Sequence, residues 1–286
     1  MMDSDPLFVV AIDFGTTYSG YAYCSKDDFQ QNPPKVHANT NWAAGGQGLL
    51  SQKTPTCLLL SPDQELLSFG YEAEDEYSTL AVTNEHKNHY FFKRFKMKLH
   101  GIEDLNEDSM VKDELGKPLP AIEVFTKAIS YLRQHFLDQL DSLGMEFRDD
   151  EIRWIVTVPA IWSDTSKAFM RKAAVKAGIK SSQLRIALEP EAASIFSQHL
   201  KTERSGGKLS VSGPGTRYMV IDLGGGTADI TVHEKLAGGN LKELYKASGG
   251  AWGGTAVDQQ YIMLLTRIVG GPVMHRFQTE ATFRVS

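Results

Sequence analysis

Apolar and polar residues follow two rhythms along this chain, and the switches between them mark out its elements. Val9-Val10-Ala11-Ile12 is an apolar run closed by Asp13, Phe14, Gly15, Thr16 and Thr17, which reads as a buried strand entering a tight turn. From Tyr18 to Cys24, Tyr21 and Tyr23 alternate with small residues, as in the second arm of a hairpin. From Lys26 to Lys53 the rhythm is lost in Gln, Asn, Pro, Gly and Ala, with Gly45-Gly46 at the centre. An exposed connection without chemistry is expected there. Thr56 to Leu60 and Leu66 to Phe69 read as short strands about the turn Ser61-Pro62-Asp63, and a polar helical stretch from Ala73 leads to an aromatic and basic cluster at Tyr90 to Lys98. A charged loop is expected from Glu103 to Lys117.

The helical period is clearest from Ala121 to Leu143. Val124, Phe125, Ala128, Ile129, Leu132, Phe136 and Leu140 form one stripe, stopped by Gly144, so this helix is core scaffold. Ile152 to Val158 is an apolar run closed by Pro159, as expected of a central strand covered on both faces. Asp164 stands where it caps a helix running through Ala177 and ending at Gly178. Leu184 to Leu188 is a short strand, and Glu189 opens a helix with Pro190 in its first turn. Lys201 to Thr216, with Gly206-Gly207 and Gly213-Pro214-Gly215, reads as a linker. Beyond it come strands at Tyr218 to Leu223, from Gly226 through Val232 and around Leu241 to Ala247, then a helix from Thr255 to Val269. The tail Gly270 to Ser286 carries Val273, Met274, Phe277 and Phe283 without a clear period.

Strands alternating with helices on both sides of the linker give the α/β class with two related halves. The relation is explicit. Tyr218-Met219-Val220-Ile221-Asp222-Leu223-Gly224-Gly225-Gly226-Thr227 repeats the order of the first segment: apolar strand, Asp, Gly, hydroxyl. Glycines after the carboxylate let backbone N–H groups approach an anion with no Cβ in the way. A turn that merely ends a strand has no use for a second copy of the carboxylate, so the duplication points to a two-sided phosphate clamp.

Composition narrows the partners. A chain of 286 residues, 42% hydrophobic, can bury a sizeable core. Its net charge of -5 comes from interspersed acids and bases, which leaves no basic field for nucleic acid or an anionic membrane. Cys24 and Cys57 lack metal-ligand spacing, and Met1 to Pro6 has neither a basic nor an apolar leader region, so a reducing, cytoplasmic setting is expected. No apolar run approaches the ~20 residues of a membrane span. His86, His89 and His100 have no ligand spacing, and Trp154 and Trp162 flank the Pro159 segment as packing residues.

On its motifs the chain resembles the ATPase domain of the seventy-kilodalton heat-shock chaperones, of the superfamily that includes actin and sugar kinases. Ile12 to Ser19 and Ile221 to Asp229 are similar to that family's two phosphate loops. Val156-Thr157-Val158-Pro159-Ala160 with Glu189-Pro190 resembles its connecting segment, and Thr54-Pro55-Thr56 and Trp252-Gly253-Gly254 fall where the family has Thr-Pro-Ser and a Gly-Gly turn. Gln52 to Leu60, Phe95 to His100 and Ala187 to Ser194 look most like the atypical branch named heat shock 70 kDa protein 12. Leu188, Ala228 and Lys167 depart from ordinary members, which have Asn, Phe and Arg there.

The resemblance implies a two-lobed actin-like ATPase fold of duplicated ribonuclease H-like halves. The first lobe would span 7–200 with an inserted subdomain at about 38–118, 201–216 would link, and 217–286 would begin the second lobe. It implies ATP or ADP with Mg²⁺, held through waters by Asp13 and Asp222, since this ion takes one or two carboxylates plus phosphate. Gly15, Thr16, Thr17 and Tyr18 would contact the phosphates from one side, and Gly224, Gly225, Gly226 and Thr227 from the other. Glu189 and Asp229 would orient or deprotonate the attacking water. Lys93, in Phe92-Lys93-Arg94, would meet the γ-phosphate, with Lys96 taking that role if the register lies one turn on. The implied activity is that of an ATP-binding, chaperone-like stress-response protein that hydrolyses ATP, with protein clients or co-chaperones as partners. The alternatives are a non-catalytic, nucleotide-gated interaction module or a small-molecule kinase. The family's base-gripping segments would lie past Ser286, so a truncated second lobe, slow turnover and poor discrimination between ATP and GTP are expected.

Overall fold

A computed structural model describes residues 6–31, 34–39, 42–44, 49–99, 105–106, 108–199 and 213–281. Strand β1 (Phe8–Phe14) turns into β2 (Tyr18–Ser25), an antiparallel pair in which Tyr21 and Tyr23 point into the core. The stretch expected to be a bare connection carries short elements: α1 (Lys26–Phe29), β3 (His37–Ala38), β4 (Trp42–Ala44) and β5 (Leu49–Ser51). Partners make these strands where local pattern does not, β3 lying on β2 and β4 on β5. Gly45-Gly46 falls outside the described residues.

β6 (Thr54–Pro55) also pairs with β2. β7 (Cys57–Leu60) and β8 (Leu66–Phe69) form the expected hairpin, followed by α2 (Tyr71–Val82) and β9 (Tyr90–Lys93), which completes a sheet in the order β8-β7-β9. The charged stretch read as a loop carries a strand, β10 (Met110–Lys112), which pairs with β11 (Pro118–Pro120) just beyond it. The Asp113 carboxylate closes the turn between them by accepting from the N–H groups of Leu115 and Lys117, a role Asp commonly takes in turns.

Helix α3 (Ala121–Ser142) buries every residue of its predicted stripe. It packs Phe125 edge-on to Phe95 and Phe169, and Phe136 edge-on to Trp154. Each such side chain taken from water contributes about 1.5–3 kcal/mol. β12 (Ile152–Val158) lies parallel between β1 and β13 (Leu184–Leu188), an interior strand of a sheet ordered β13-β12-β1-β2-β3. Between β12 and β13 runs α4 (Asp164–Lys176); after them comes α5 (Glu189–His199). The cap of α4 is Ser163, one residue before the expected Asp164: the Ser163 hydroxyl accepts from the Ser166 N–H at 3.2 Å.

Of the expected linker, 201–212 lies outside the described residues. The repeated segment then forms a second hairpin, β14 (Arg217–Leu223) with β15 (Ala228–Lys235), extended by β16 (Leu241–Gly250) into an antiparallel sheet. α6 (Gly254–Val269) follows, and the tail read as aperiodic continues as α7 (Gly271–Ala281) after Gly270, whose φ of 89° ends α6. The main hydrophobic cluster draws its buried members from Phe8 to Leu184. Met219, Ile221 and Leu223 on β14 stay more than half exposed. Cys24 and Cys57 are free thiols, and no helix among the described residues is long and apolar enough to cross a membrane.

Candidate functional site

Both hairpin turns open onto one cleft of about 1220 Å³. The first turn is stitched to β6 and β7. The Thr56 N–H donates to the Thr17 carbonyl and the Thr56 hydroxyl to the Gly15 carbonyl, both at 2.8 Å. The second turn is stitched to the start of α6: the N–H groups of Gly254 and Thr255 donate to the carbonyls of Gly224 and Gly225 at 3.0 and 2.8 Å. The turns meet each other. A Cβ on Gly225 would fall 1.8 Å from Thr17 Oγ1, and one on Gly226 would fall 2.6 Å from Thr16 Oγ1 and 2.2 Å from Met97 Sδ. Only residues without a side chain allow this approach. Thr17 Oγ1 is buried with no hydrogen-bond partner, so a donor stands unspent between the turns.

Asp13 and Asp222 end β1 and β14 in matching positions. Asp13 Oδ1 accepts from the Thr157 hydroxyl of β12 at 3.1 Å, while Oδ2 accepts from the Lys53 ammonium. Burial first, then the nearby charges of Asp229 and Asp13, push the Asp222 carboxyl above its ordinary range. Glu189 begins α5 directly after β13 and accepts from Lys96 Nζ at 2.7 Å. Burial raises its carboxyl, and Lys96 pulls in the opposite direction. Lys96 itself is 3% exposed and lies 5.3 Å from the Trp162 ring centroid.

Asp13, Gly15, Thr16, Thr17, Tyr18, Glu189, Asp222, Gly224, Gly225, Gly226 and Thr227 all line this cleft. Two expected residues are placed elsewhere. Lys93 ends β9 on the outside, paired with Glu74 at 2.7 Å. The chain reverses at Arg94, whose φ is 54°, and this turn aims Lys96 rather than Lys93 inward. Asp229 is 1% exposed and stands behind the cleft wall, where Oδ1 accepts from the Ile161 N–H at 3.0 Å. It therefore ties the second hairpin to the Pro159 segment.

The cleft also contains residues that the sequence reading passed over: Lys53, Arg94, Thr157 and Asp258. Lys53, Arg94 and Thr157 had a signal, since each lies inside a quoted motif. Asp258 had none.

For a metal, the donor set is the two carboxylates Asp13 and Asp222, the second raised chiefly by burial and further by its acidic neighbours, with no cluster of three or more His, Cys, Asp and Glu among the described residues. That fits Mg²⁺, which keeps waters and draws further ligands from phosphate. It does not fit an ion that needs an all-protein cage.

The Hsp70 protein family model matches residues 83–269. Heat shock 70 kDa protein 12A of Homo sapiens is 39% identical over 322 residues, covering 95% of this chain and 47% of the relative. Heat shock 70 kDa protein 12B of Homo sapiens is 39% identical over 323 residues, covering 95% and 46%. The chaperone protein HscA homolog of Cupriavidus pinatubonensis is 30% identical over 274 residues, covering 91% and 37%. The chain spans about half the length of the first two of these relatives.

Proposed function

Because this chain belongs to the Hsp70 family, we propose that its cleft clamps a nucleoside triphosphate by the phosphates and hydrolyses it, as the ATPase part of a chaperone-like protein. One observation carries the reading: two hairpins of the same sequence pattern meet turn to turn, with Asp13, Asp222, Glu189 and Lys96 around them. In this reading 7–200 is one lobe, carrying a subdomain at about 38–118; 201–216 is the connection, and 217–286 belongs to the second lobe.

Phosphoryl transfer asks for position and charge neutralisation more than for covalent chemistry. The backbone N–H groups and hydroxyls of Thr16, Thr17 and Thr227 would bind phosphate oxygens, and the unspent Thr17 hydroxyl would gain the partner it lacks. Lys96 would meet the terminal phosphate, so Lys93 leaves that role. Released from Lys96, Glu189 would take a proton from the attacking water, its raised affinity for protons bringing it nearer to neutral pH. Asp229 would act as a positioning residue between the hairpin and the Pro159 segment. Mg²⁺, held by Asp13 and Asp222, would supply charge neutralisation on the phosphates.

Calorimetry with ATP and ADP, with and without Mg²⁺, tests the clamp. Asp222→Ala should remove most of the metal-dependent affinity, and Lys96→Ala should weaken ATP more than ADP while Lys93→Ala changes neither. Affinity indifferent to both metal and Asp222→Ala would sink the assignment. Binding without phosphate release, with or without peptide, would leave the nucleotide-gated module; sugar-dependent ADP formation would mean a kinase.

A further inference from the structure

The two hairpins share the Asp that ends the apolar run but differ in the residue that faces it. Asp222 lies opposite Asp229 in the second hairpin, whereas Asp13 lies opposite Gly20 in the first. A Cβ on Gly20 would fall 2.8 Å from the Gln52 carbonyl oxygen and 3.2 Å from Lys53 Cγ. The bare glycine is what lets residues 52 and 53 cross over the hairpin. The crossing is pinned on its far side, where Ser19 pairs with Thr54 and Tyr18 with Pro55, and the Ser19 and Thr56 hydroxyls bond at 2.7 Å. It delivers the Lys53 side chain into the cleft, 2.5 Å from Asp13 Oδ2. Where the second hairpin carries a carboxylate, the first carries an ammonium.

We propose that Lys53 is a second phosphate-binding cation of this cleft and the exchangeable counterion of Asp13. Before nucleotide enters, it neutralises Asp13; on entry its ammonium moves to phosphate oxygen and frees Asp13 Oδ2 for the metal. The proposal rests on the nucleotide-clamp reading above. Lysine suits the task, being a compact charge with three donors on a flexible stem. Both partners are nearly half exposed, at 49% and 42%, so the pair is weak and is exchanged at little cost. Two consequences follow. Lys53 competes with a metal for Asp13 when no nucleotide is present, and it gives nucleotide a cationic partner when no metal is present.

The experiment compares wild type, Lys53→Met and Lys53→Arg, each checked for native circular dichroism. Mn²⁺ alone is titrated by electron paramagnetic resonance, and ADP by calorimetry in EDTA and in Mg²⁺. Lys53→Met should bind Mn²⁺ severalfold more tightly than wild type and ADP in EDTA about tenfold more weakly, with a smaller loss in Mg²⁺. Lys53→Arg should keep the EDTA affinity. Unchanged Mn²⁺ and ADP affinities in Lys53→Met would overturn the proposal. Equal ADP losses in both variants and both buffers would also overturn it, because they would mark a packing role. Failure of wild type to bind ADP in either buffer would sink the nucleotide reading and the phosphate role with it; the Mn²⁺ comparison would then decide the Asp13 pairing alone.

Discussion

Lys96 and Glu189 show how a buried pair sets both chemistry and stability. Lys96 is almost wholly covered and Glu189 is 18% exposed, so removing the cation leaves a carboxylate with little water to solvate it. Lys96→Met should therefore cost about 3 kcal/mol near pH 7.5. Burial raises the Glu189 carboxyl in the folded chain, so its stabilising protonation is fully present below the unfolded value of about 4.3 and is lost as pH rises through the folded value. Loss of Lys96 raises the folded value further. The deficit of Lys96→Met should shrink at pH 5, and Glu189→Gln added to it should restore much of the loss at pH 7.5. Urea denaturation at the two pH values measures this; an equal deficit at both would contradict it. The resemblance of Phe92-Lys93-Arg94 to the family's segment made it legible that a lysine would be needed here. Which one faces inward depends on the left-handed backbone at Arg94, a conformation uncommon outside glycine and invisible in residue type.

Among the elements, α3 was legible because seven apolar residues at helical spacing admit one buried face, and all seven are buried. The cap of α4 was less so, because Ser163 and Asp164 are both good N-cap residues standing side by side. The choice falls to Ser163, while Asp164 points wholly to solvent. Ser163→Ala should accordingly cost about 1 kcal/mol, and Asp164→Ala only a few tenths through the helix dipole, as chemical denaturation would show. The reverse order would return the cap to Asp164. The short strands β3, β4 and β5 had no local pattern to betray them, being two or three residues long and held by pairing with neighbours. Helix α7 escaped because Met274 is buried while Val273 and Phe277 are exposed, so no stripe had to be kept.

Stability is unevenly spread through the fold. The main core lies around β1, β12 and α3, whereas the C-terminal sheet buries few apolar side chains among the described residues. Amides of β1, β12 and α3 should be the slowest to exchange with solvent, and those of β14 and β16 markedly faster. A nucleotide that bridges both turns would raise protection at Gly224 to Thr227 and at the start of α6. At 100 times its Kd it would add about 2.7 kcal/mol of stability. Hydrogen exchange by mass spectrometry, with and without ADP and Mg²⁺, tests both. Uniform protection across the two sheets would show that the C-terminal sheet is held by more than its visible contacts.

Strand order in the chain, the long core helix and the duplicated Asp-Gly turns were written in residue type and spacing, because burial periodicity and the tolerance of glycine for close approach act locally. Asp13, Asp222 and the glycines of both turns could be singled out on that basis, and Glu189 through the family resemblance. The direction of Lys93 and Lys96, the retreat of Asp229 behind the cleft wall and the arrival of Lys53 over Gly20 could not. Each depends on where a distant segment crosses: Glu74 against Lys93, Ile161 against Asp229, and β6 against β2. Charge and hydrogen bonding are settled by neighbours in space, and at this cleft those neighbours come from parts of the chain that no local pattern connects.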